Sequence, residues 1–395
     1  FGVGLLLILG FFLAKLTEKI NLPPIGGYIL AGLLLGDSLL GLVHYEVVQS
    51  FKVVTELAVG ILAITIGSEF SLIKLKREGI KIIIISIFMI IFTFAIMFSL
   101  LILFNMSIIF AMILSLIACT TAPAITLTVI KTLRVRGVFV DYVYGIVSIS
   151  DSIMFLIYGI VIAVIGYITN LDIDVFSWFD HILMPFTYII ISALLGSLIG
   201  FILHIIIQNK KKQSEILIIS LGTFLLSTAI AISLDLSFIL VNMMFGITLI
   251  NLSPKNERLF RVRVLYPLMP PIYSLFFAIA GISLDITILS DLRIVFIILL
   301  YIVIRFIGKY SGVFIGSQLV KADDNVKKYL GLCVLSQAGI AIAFTMILEN
   351  TGIIENYPVI VNEIVNIILI SVFLNQILGK LITRFAVIKA MDIDI

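Results

Sequence analysis

Residues 119–124 read Cys-Thr-Thr-Ala-Pro-Ala, in the middle of an apolar run that extends from 108 to 130. Proline at 123 removes a backbone donor and crowds the preceding turn, so a helix through this run is interrupted. Thr120 and Thr121 bring hydroxyls beside the carbonyls so freed. A second stretch, Leu-Ser-Gln-Ala-Gly-Ile at 335–340, lies at the same depth of another apolar run, 326–348. Open backbone is costly in hydrocarbon, so each stretch must face protein or water. Half-helix ends then bring dipole charge to the middle of the membrane, with the breaks at Pro123 and Gly339. The plainer readings are a simple proline kink at 123 and interhelical hydrogen bonding for Gln337.

The rest of the chain supports a membrane setting. Of 395 residues, 62% are hydrophobic and 12% charged, against about 25% charged in soluble domains. Mean hydropathy is +1.27. This alphabet cannot cover the surface of a soluble protein of this length, which excludes a soluble enzyme and a nucleic-acid binder. Cys119 and Cys333 both sit in apolar runs, which excludes a disulfide-stapled secreted domain. The chain opens in an apolar run at Phe1 without a basic leader, which reads as a membrane segment and not a signal peptide.

A helix needs roughly 20 residues to cross the hydrocarbon. Apolar runs broken by charge, Pro, Gly or Asn give about thirteen spans, at 1–18, 24–42, 52–70, 80–104, 108–130, 138–168, 182–208, 214–233, 238–251, 267–289, 292–318, 326–348 and 357–383. The runs are continuous, without the alternation of a β-barrel. Of the 26 basic residues, 22 fall at alternate span ends, only Lys52 and Arg293 at the opposite ends, and Arg305 and Lys309 inside a span. This asymmetry predicts an outer N-terminus and a cytoplasmic C-terminus.

Spans one to six and eight to thirteen form two sets of six, inverted by span seven between them. One offset, 214 residues, takes Gly67 to Gly281, Gly32 to Gly246, Pro24 to Phe238 and Pro123 to Gln337. Glycine is common in membrane helices, so no single coincidence counts. Several on one offset, agreeing with the charge-derived topology, predict an inverted repeat. The expected fold is therefore an all-α polytopic membrane protein with crossed discontinuous helices, of the kind that opens alternately to each side.

Asp151 lies mid-span, flanked by Ser148, Ser150 and Ser152. A carboxylate at that depth is expensive and usually functional. With Ser150, Thr120, Thr121 and main-chain carbonyls it could form an oxygen shell for a small monovalent cation, the only metal expected here, with a proton as the alternative occupant. The plain reading is a structural carboxylate at a helix break. Arg305 is equally deep, with Lys309 one turn on along the same face. An arginine there needs partners, and the candidates are Asp151, half-helix carbonyls and Glu363. Lys309 can instead snorkel to the inner surface. His44, His181 and His204 do not cluster, and neither a catalytic constellation nor a cofactor motif is found.

These residues resemble the monovalent cation:proton antiporter family, in its bacterial sodium/proton and potassium/proton branch. The resemblance runs through Leu22–Gly36 (Leu-Pro-Pro-Ile-Gly-Gly-Tyr-Ile-Leu-Ala-Gly-Leu-Leu-Leu-Gly), Gly67–Ser71, Thr120–Pro123, Ser150-Asp151, Arg305 with Gly308-Lys309, and Gln337–Gly339. It implies a homodimer surrounded by lipid, with no cofactor beyond the transported Na⁺ or K⁺ and H⁺. It also implies a dimerisation part at 1–70 and 214–289, an ion-transporting core at 80–168 and 292–386, and a linker helix at 182–208. Asp151 matches the family's ion- and proton-binding aspartate, Thr120 and Thr121 the unwound stretch beside it, and Arg305 a mid-membrane basic residue. The chain departs from the family where Ser150 stands in place of an Asp or Asn, and where Ala122 replaces the Asp of a Thr-Asp-Pro motif. One central carboxylate implies electrically neutral exchange of one cation for one proton. The rival reading is a channel-like potassium exporter controlled by a cytoplasmic regulatory domain outside this stretch, in the inner membrane of the cell.

Overall fold

The computed structural model describes residues 1–19, 23–43, 52–69, 72–122, 126, 129–130, 133–169, 178–208, 212–234, 236–253, 263–349 and 356–392. Among these residues the regular structure is helical. The elements are α1 (Gly2–Lys19), α2 (Pro24–Leu35), α3 (Lys52–Glu69), α4 (Leu72–Leu103), α5 (Ile108–Ala118), α6 (Val138–Thr169) and α7 (Trp178–Ile207). They continue with α8 (Gln213–Ser233), α9 (Phe238–Leu252), α10 (Met269–Ile282), α11 (Leu292–Leu319), α12 (Asp324–Cys333), α13 (Gly339–Glu349) and α14 (Pro358–Ala390). Isoleucine- and valine-rich runs become helices because a bilayer demands that each segment satisfy its own backbone groups.

Five helical segments among the described residues are long and apolar enough to cross a membrane: Gly79–Leu103, Val138–Ile162, Ile189–Ile207, Gln213–Ser233 and Pro358–Ala390. Several others fall short of the spans expected for them. The run at 24–42 is helical only to Leu35. Gly36 then adopts extended geometry (φ −73°, ψ 177°), and the chain turns through Gly41, at φ +60°. The run at 267–289 contains α10, with 3₁₀ turns at Arg263–Leu268 and Ile286–Ser290. Helix α4 is broken at Gly79 (φ 81°, ψ 153°), so the basic stretch before it is set off from the membrane-crossing part. The last helix runs beyond the expected 383, to Ala390.

The helices pack as two groups. Helix α4 lies along α11, and α5, α6, α12, α13 and α14 gather around that pair. Gly308, Gly312 and Gly316, four residues apart on α11, abut α4 at Thr93, Met89 and Ile85. In the other group α2 packs on α1 and α10, and α9 packs on α3 and α7. Contacts between the groups are sparser and run mainly from α3, α7 and α9 to α6, and from α3 and α10 to α13.

Two glycine approaches shape the second group. A Cβ on Gly32 would overlap the carbonyl oxygen of Ala278, and one on Gly281 would overlap that of Ile29. A Cβ on Gly246 would overlap the carbonyl oxygen of Ile64, and one on Gly67 that of Met243. Each member of the α2–α10 crossing has its counterpart in the α9–α3 crossing 214 positions away: Gly32 with Gly246, Ile64 with Ala278, Ile29 with Met243, Gly67 with Gly281.

Candidate ion site at two broken helices

Helices α5, α12 and α13 have 11, 10 and 11 residues, about 15 Å each at 1.5 Å per residue, so each reaches only partway across a bilayer. Helix α13 and the second half of α5 are wrapped in protein, whereas α12 buries only Val326, Leu330, Gly331 and Cys333. Every residue from Ile340 to Leu348 is buried, as are Ile113 to Ala118. The first interruption follows Ala118 and occupies 119–122. Pro123, which the sequence singles out, lies outside the described residues. The second occupies 334–338, between Cys333 and Gly339. The breaks touch. Ser336 Oγ donates to the carbonyl of Ala122 at 3.3 Å, and Thr126 Oγ1 donates to that of Cys333 at 2.8 Å. Ser336 and Ala122 are themselves 214 positions apart, as are Cys333 and Cys119.

A helix end leaves carbonyls without intrahelical partners and carries partial negative charge. Here α11 answers both ends, with Tyr301, Arg305 and Lys309 on one face at four-residue spacing, all buried. Arg305 Nε donates to Ala118 O at 3.0 Å. Its Nη2 donates to Thr120 O at 2.7 Å and Ser336 O at 3.2 Å, and its Nη1 to Leu335 O. Lys309 Nζ donates to Thr120 O at 2.5 Å and Val334 O at 3.2 Å. Gln337 Nε2 reaches Ile117 O at 3.0 Å and the Tyr301 hydroxyl at 2.9 Å. Six main-chain carbonyls from the two breaks are thus held by one helix face and one glutamine.

Asp151, only 3% exposed, meets the first break from α6. Its Oδ1 accepts the Thr121 backbone N–H at 3.0 Å and the Thr121 hydroxyl at 2.5 Å. The carbonyl of Thr120, one residue away, is the one gripped by both Arg305 and Lys309. A buried carboxylate and two buried cations therefore sit on opposite sides of a two-residue segment of open backbone. The Ser150 hydroxyl, also buried, donates to Val147 O at 3.2 Å. Among the described residues no group of three or more His, Cys, Asp or Glu could hold a multivalent metal ion.

Residues 5–388 match the family described as the transmembrane sodium/hydrogen exchanger. The chain belongs to the sodium/hydrogen exchanger family. It is a multi-pass membrane transporter, not an enzyme, and the ions of such an exchanger are its substrates. A Na⁺/H⁺ antiporter of Enterococcus hirae is 24% identical over 373 residues, covering 94% of each chain. The fold resembles that of the sodium proton antiporter MjNhaP1 from Methanocaldococcus jannaschii. Its structure at pH 8 superposes with a TM-score of 0.73 at 18% identity, over 98% of this chain and 96% of that one. An electron-microscopy structure of MjNhaP1 gives 0.67, also at 18% identity, over 99% and 96%.

The exchanger chain brings Asp151, Thr120, Thr121, Arg305, Lys309 and Gln337 together, and Ser150 adjoins them. Thr120 lies at the same break, with its carbonyl bonded to both Arg305 and Lys309 and its hydroxyl donating to Ile117 O at 2.8 Å. Thr121 is the threonine that meets Asp151. Lys309 does not snorkel to the inner surface but is fully buried at the breaks. The hydrogen bonds of Arg305 all go to carbonyls, and Glu363, half-buried near the start of α14, is not among its partners. Gly339 opens α13 with the ring of Phe277 against it. Tyr301 escaped the sequence reading. Its signal was the four-residue spacing to Arg305 and Lys309.

Proposed function

We propose that this protein is a secondary active antiporter that exchanges one Na⁺ for one H⁺ at Asp151 by alternating access. The observation that carries the reading is the buried Asp151 carboxylate, bonded to Thr121 at the interruption of a helix. A carboxylate held there is stable when something neutralises it, and a proton or an alkali ion does so equally in charge. Na⁺ would take oxygens from Asp151, the Thr121 hydroxyl and the Ser150 hydroxyl. Proton binding at Asp151 would release it. The relative in Enterococcus hirae, named a Na⁺/H⁺ antiporter, favours Na⁺ over K⁺ as the cation.

Two inverted six-span repeats would supply the two access states. The shared offset of the glycine crossings and the contact of Ser336 with Ala122 support that reading. The sparse boundary between helix groups supports division into a scaffold (1–70 and 214–289) and a transporting core (80–168 and 292–386), joined by the helix at 182–208. In this reading the scaffold forms the homodimer in the plasma membrane, and the basic span ends lie in the cytoplasm, with the N-terminus outside.

The test is reconstitution in vesicles with an imposed pH gradient, with Na⁺, Li⁺, K⁺ and Rb⁺ supplied singly. Na⁺ is expected to drive proton movement, and Asp151→Asn to abolish it. Full exchange in that variant would remove Asp151 from the mechanism.

A further inference from the structure

Asn366 lies in the outer half of α14 by the orientation proposed above. It is ten residues, about 15 Å, before Gln376, whose side chain adjoins Gly26 at the start of α2. It is buried, and its amide is oriented by a bond from Nδ2 to Asn362 O at 2.9 Å. Its Oδ1 accepts the backbone N–H of Asp285 at 2.7 Å. Asp285 is itself fixed. Its Oδ1 accepts the backbone N–H of Thr287 at 2.9 Å and the Thr287 hydroxyl at 2.7 Å, capping the 3₁₀ turn Ile286–Ser290. The preceding carbonyl, Leu284 O, accepts from Ser38 Oγ at 2.6 Å, beyond the end of α2. Asp285 is thereby tied to α2 and α10, whereas Asn366 belongs to the helix that packs on α11, α12 and α13.

The Asn366–Asp285 bond thus joins the two helix groups. Several other places where the groups meet are apolar or glycine: Gly159 against Leu240 and Ile239, Gly339 against Phe277, and Ile25 against Ala122 and Ala338; the Gln376 side chain also adjoins Gly26, and Glu349 faces Ser283 close to Asp285. Apolar faces can slide and exchange one neighbour for another. A hydrogen bond to a single backbone N–H is either made or broken, so it favours one relative position of the groups over others. A conformational equilibrium shifts only through such differential contacts.

We propose that Asn366 is a positioning residue that latches the transporting core to the scaffold on the outer side of Asp151, favouring the state closed to the outside. This rests on the two-part, alternating-access reading. Opening a path from the outer side between the groups parts the bond and exposes both partners to water. Loss of one net hydrogen bond corresponds to about a three- to tenfold change in the ratio of states.

The experiment uses the full chain in oriented vesicles, with Na⁺ supplied at either face against a fixed pH gradient. Asn366→Leu removes the acceptor, and Asp285→Pro removes the donor N–H. Each is expected to lower the apparent KM for outer Na⁺ and raise that for inner Na⁺, about three- to tenfold. The double variant should shift no further than either single one. Asn366→Asp keeps an acceptor oxygen and should behave like the unaltered protein. No change, an equal change at both faces, additive effects, or failure of Asn366→Asp to restore the original asymmetry would each overturn the latch. Asp151→Asn in parallel separates the two ideas. Exchange that survives in it defeats the assigned site and leaves the sidedness of the Asn366 variants measurable. A dead Asp151→Asn alongside symmetric Asn366 variants defeats the latch alone.

Discussion

Arg305 is held by four carbonyls drawn from two separate helix ends. Only a planar guanidinium with several donors in a fixed fork can do this. Removing it strands those oxygens in a buried setting, next to a lysine that can reach only Thr120 and Val334. Arg305→Ala is therefore expected to destabilise the protein by about 3 kcal/mol or more, since each buried acceptor left without a partner costs about 1–3 kcal/mol. Arg305→Lys should recover only part of the loss. Unfolding midpoints of the detergent-solubilised variants check both statements. Thr121 is a different kind of residue, because its hydroxyl touches Asp151 and not the clamp. Thr121→Val keeps the backbone N–H but loses a hydrogen bond to a charged group, a change of about 1.5–3 kcal/mol. The expected result is an apparent KM for Na⁺ raised at least about tenfold, with a fall in the unfolding midpoint smaller than that of Arg305→Ala, and Thr121→Ser should reverse it. A fall in midpoint equal to that of Arg305→Ala would assign Thr121 to the scaffolding of the break instead.

Among the elements, the glycine crossings give the sharpest expectations. Gly246 sits where a side chain would run into the Ile64 carbonyl, whereas Gly222 has nothing within 4 Å of a built Cβ. Gly246→Val is expected to force α9 and α3 apart and to cost about 1–3 kcal/mol, as overpacking does. Gly222→Ala should be neutral or slightly stabilising, since alanine is the better helix former. Comparing the two unfolding midpoints checks this, and equal effects would contradict it. These glycines were legible in the sequence because the offset of 214 residues needs no coordinates. The helices were legible for the same kind of reason: basic residues punctuate apolar runs, and a bilayer leaves few alternatives to a helix. The length of α2 was not legible, because Leu39 and Leu40 continue the apolar run while Gly36 turns the backbone. The clamp was only half legible. Depth and spacing marked Arg305 and Lys309 as needing partners. That those partners are carbonyls from both breaks follows from the crossing of α12 and α13 with α5, which no local pattern encodes.

At the scale of the whole molecule, the question is how much charge crosses the membrane per cycle. In the proposed cycle Asp151 carries Na⁺ in one direction and H⁺ in the other, so the site is neutral on both journeys. Arg305 and Lys309 could add charge only by changing protonation or leaving their partners. Both are bonded to backbone carbonyls of the helices that would move with them, so they travel as fixed parts of the core and cancel between the forward and return steps. If one net charge moved, each 100 mV would contribute about 2.3 kcal/mol. That would alter the Na⁺ ratio reached at a fixed pH difference by roughly fiftyfold. Neutral exchange predicts that the final Na⁺ ratio equals the H⁺ ratio and stays there when the potential is clamped at 0 or at −100 mV. Lys309→Gln sharpens the test. If the ammonium serves only to hold Thr120 and Val334, the variant is less stable but equally insensitive to voltage. If the lysine gives up a proton in each cycle, the unaltered protein will respond to voltage and Lys309→Gln will not.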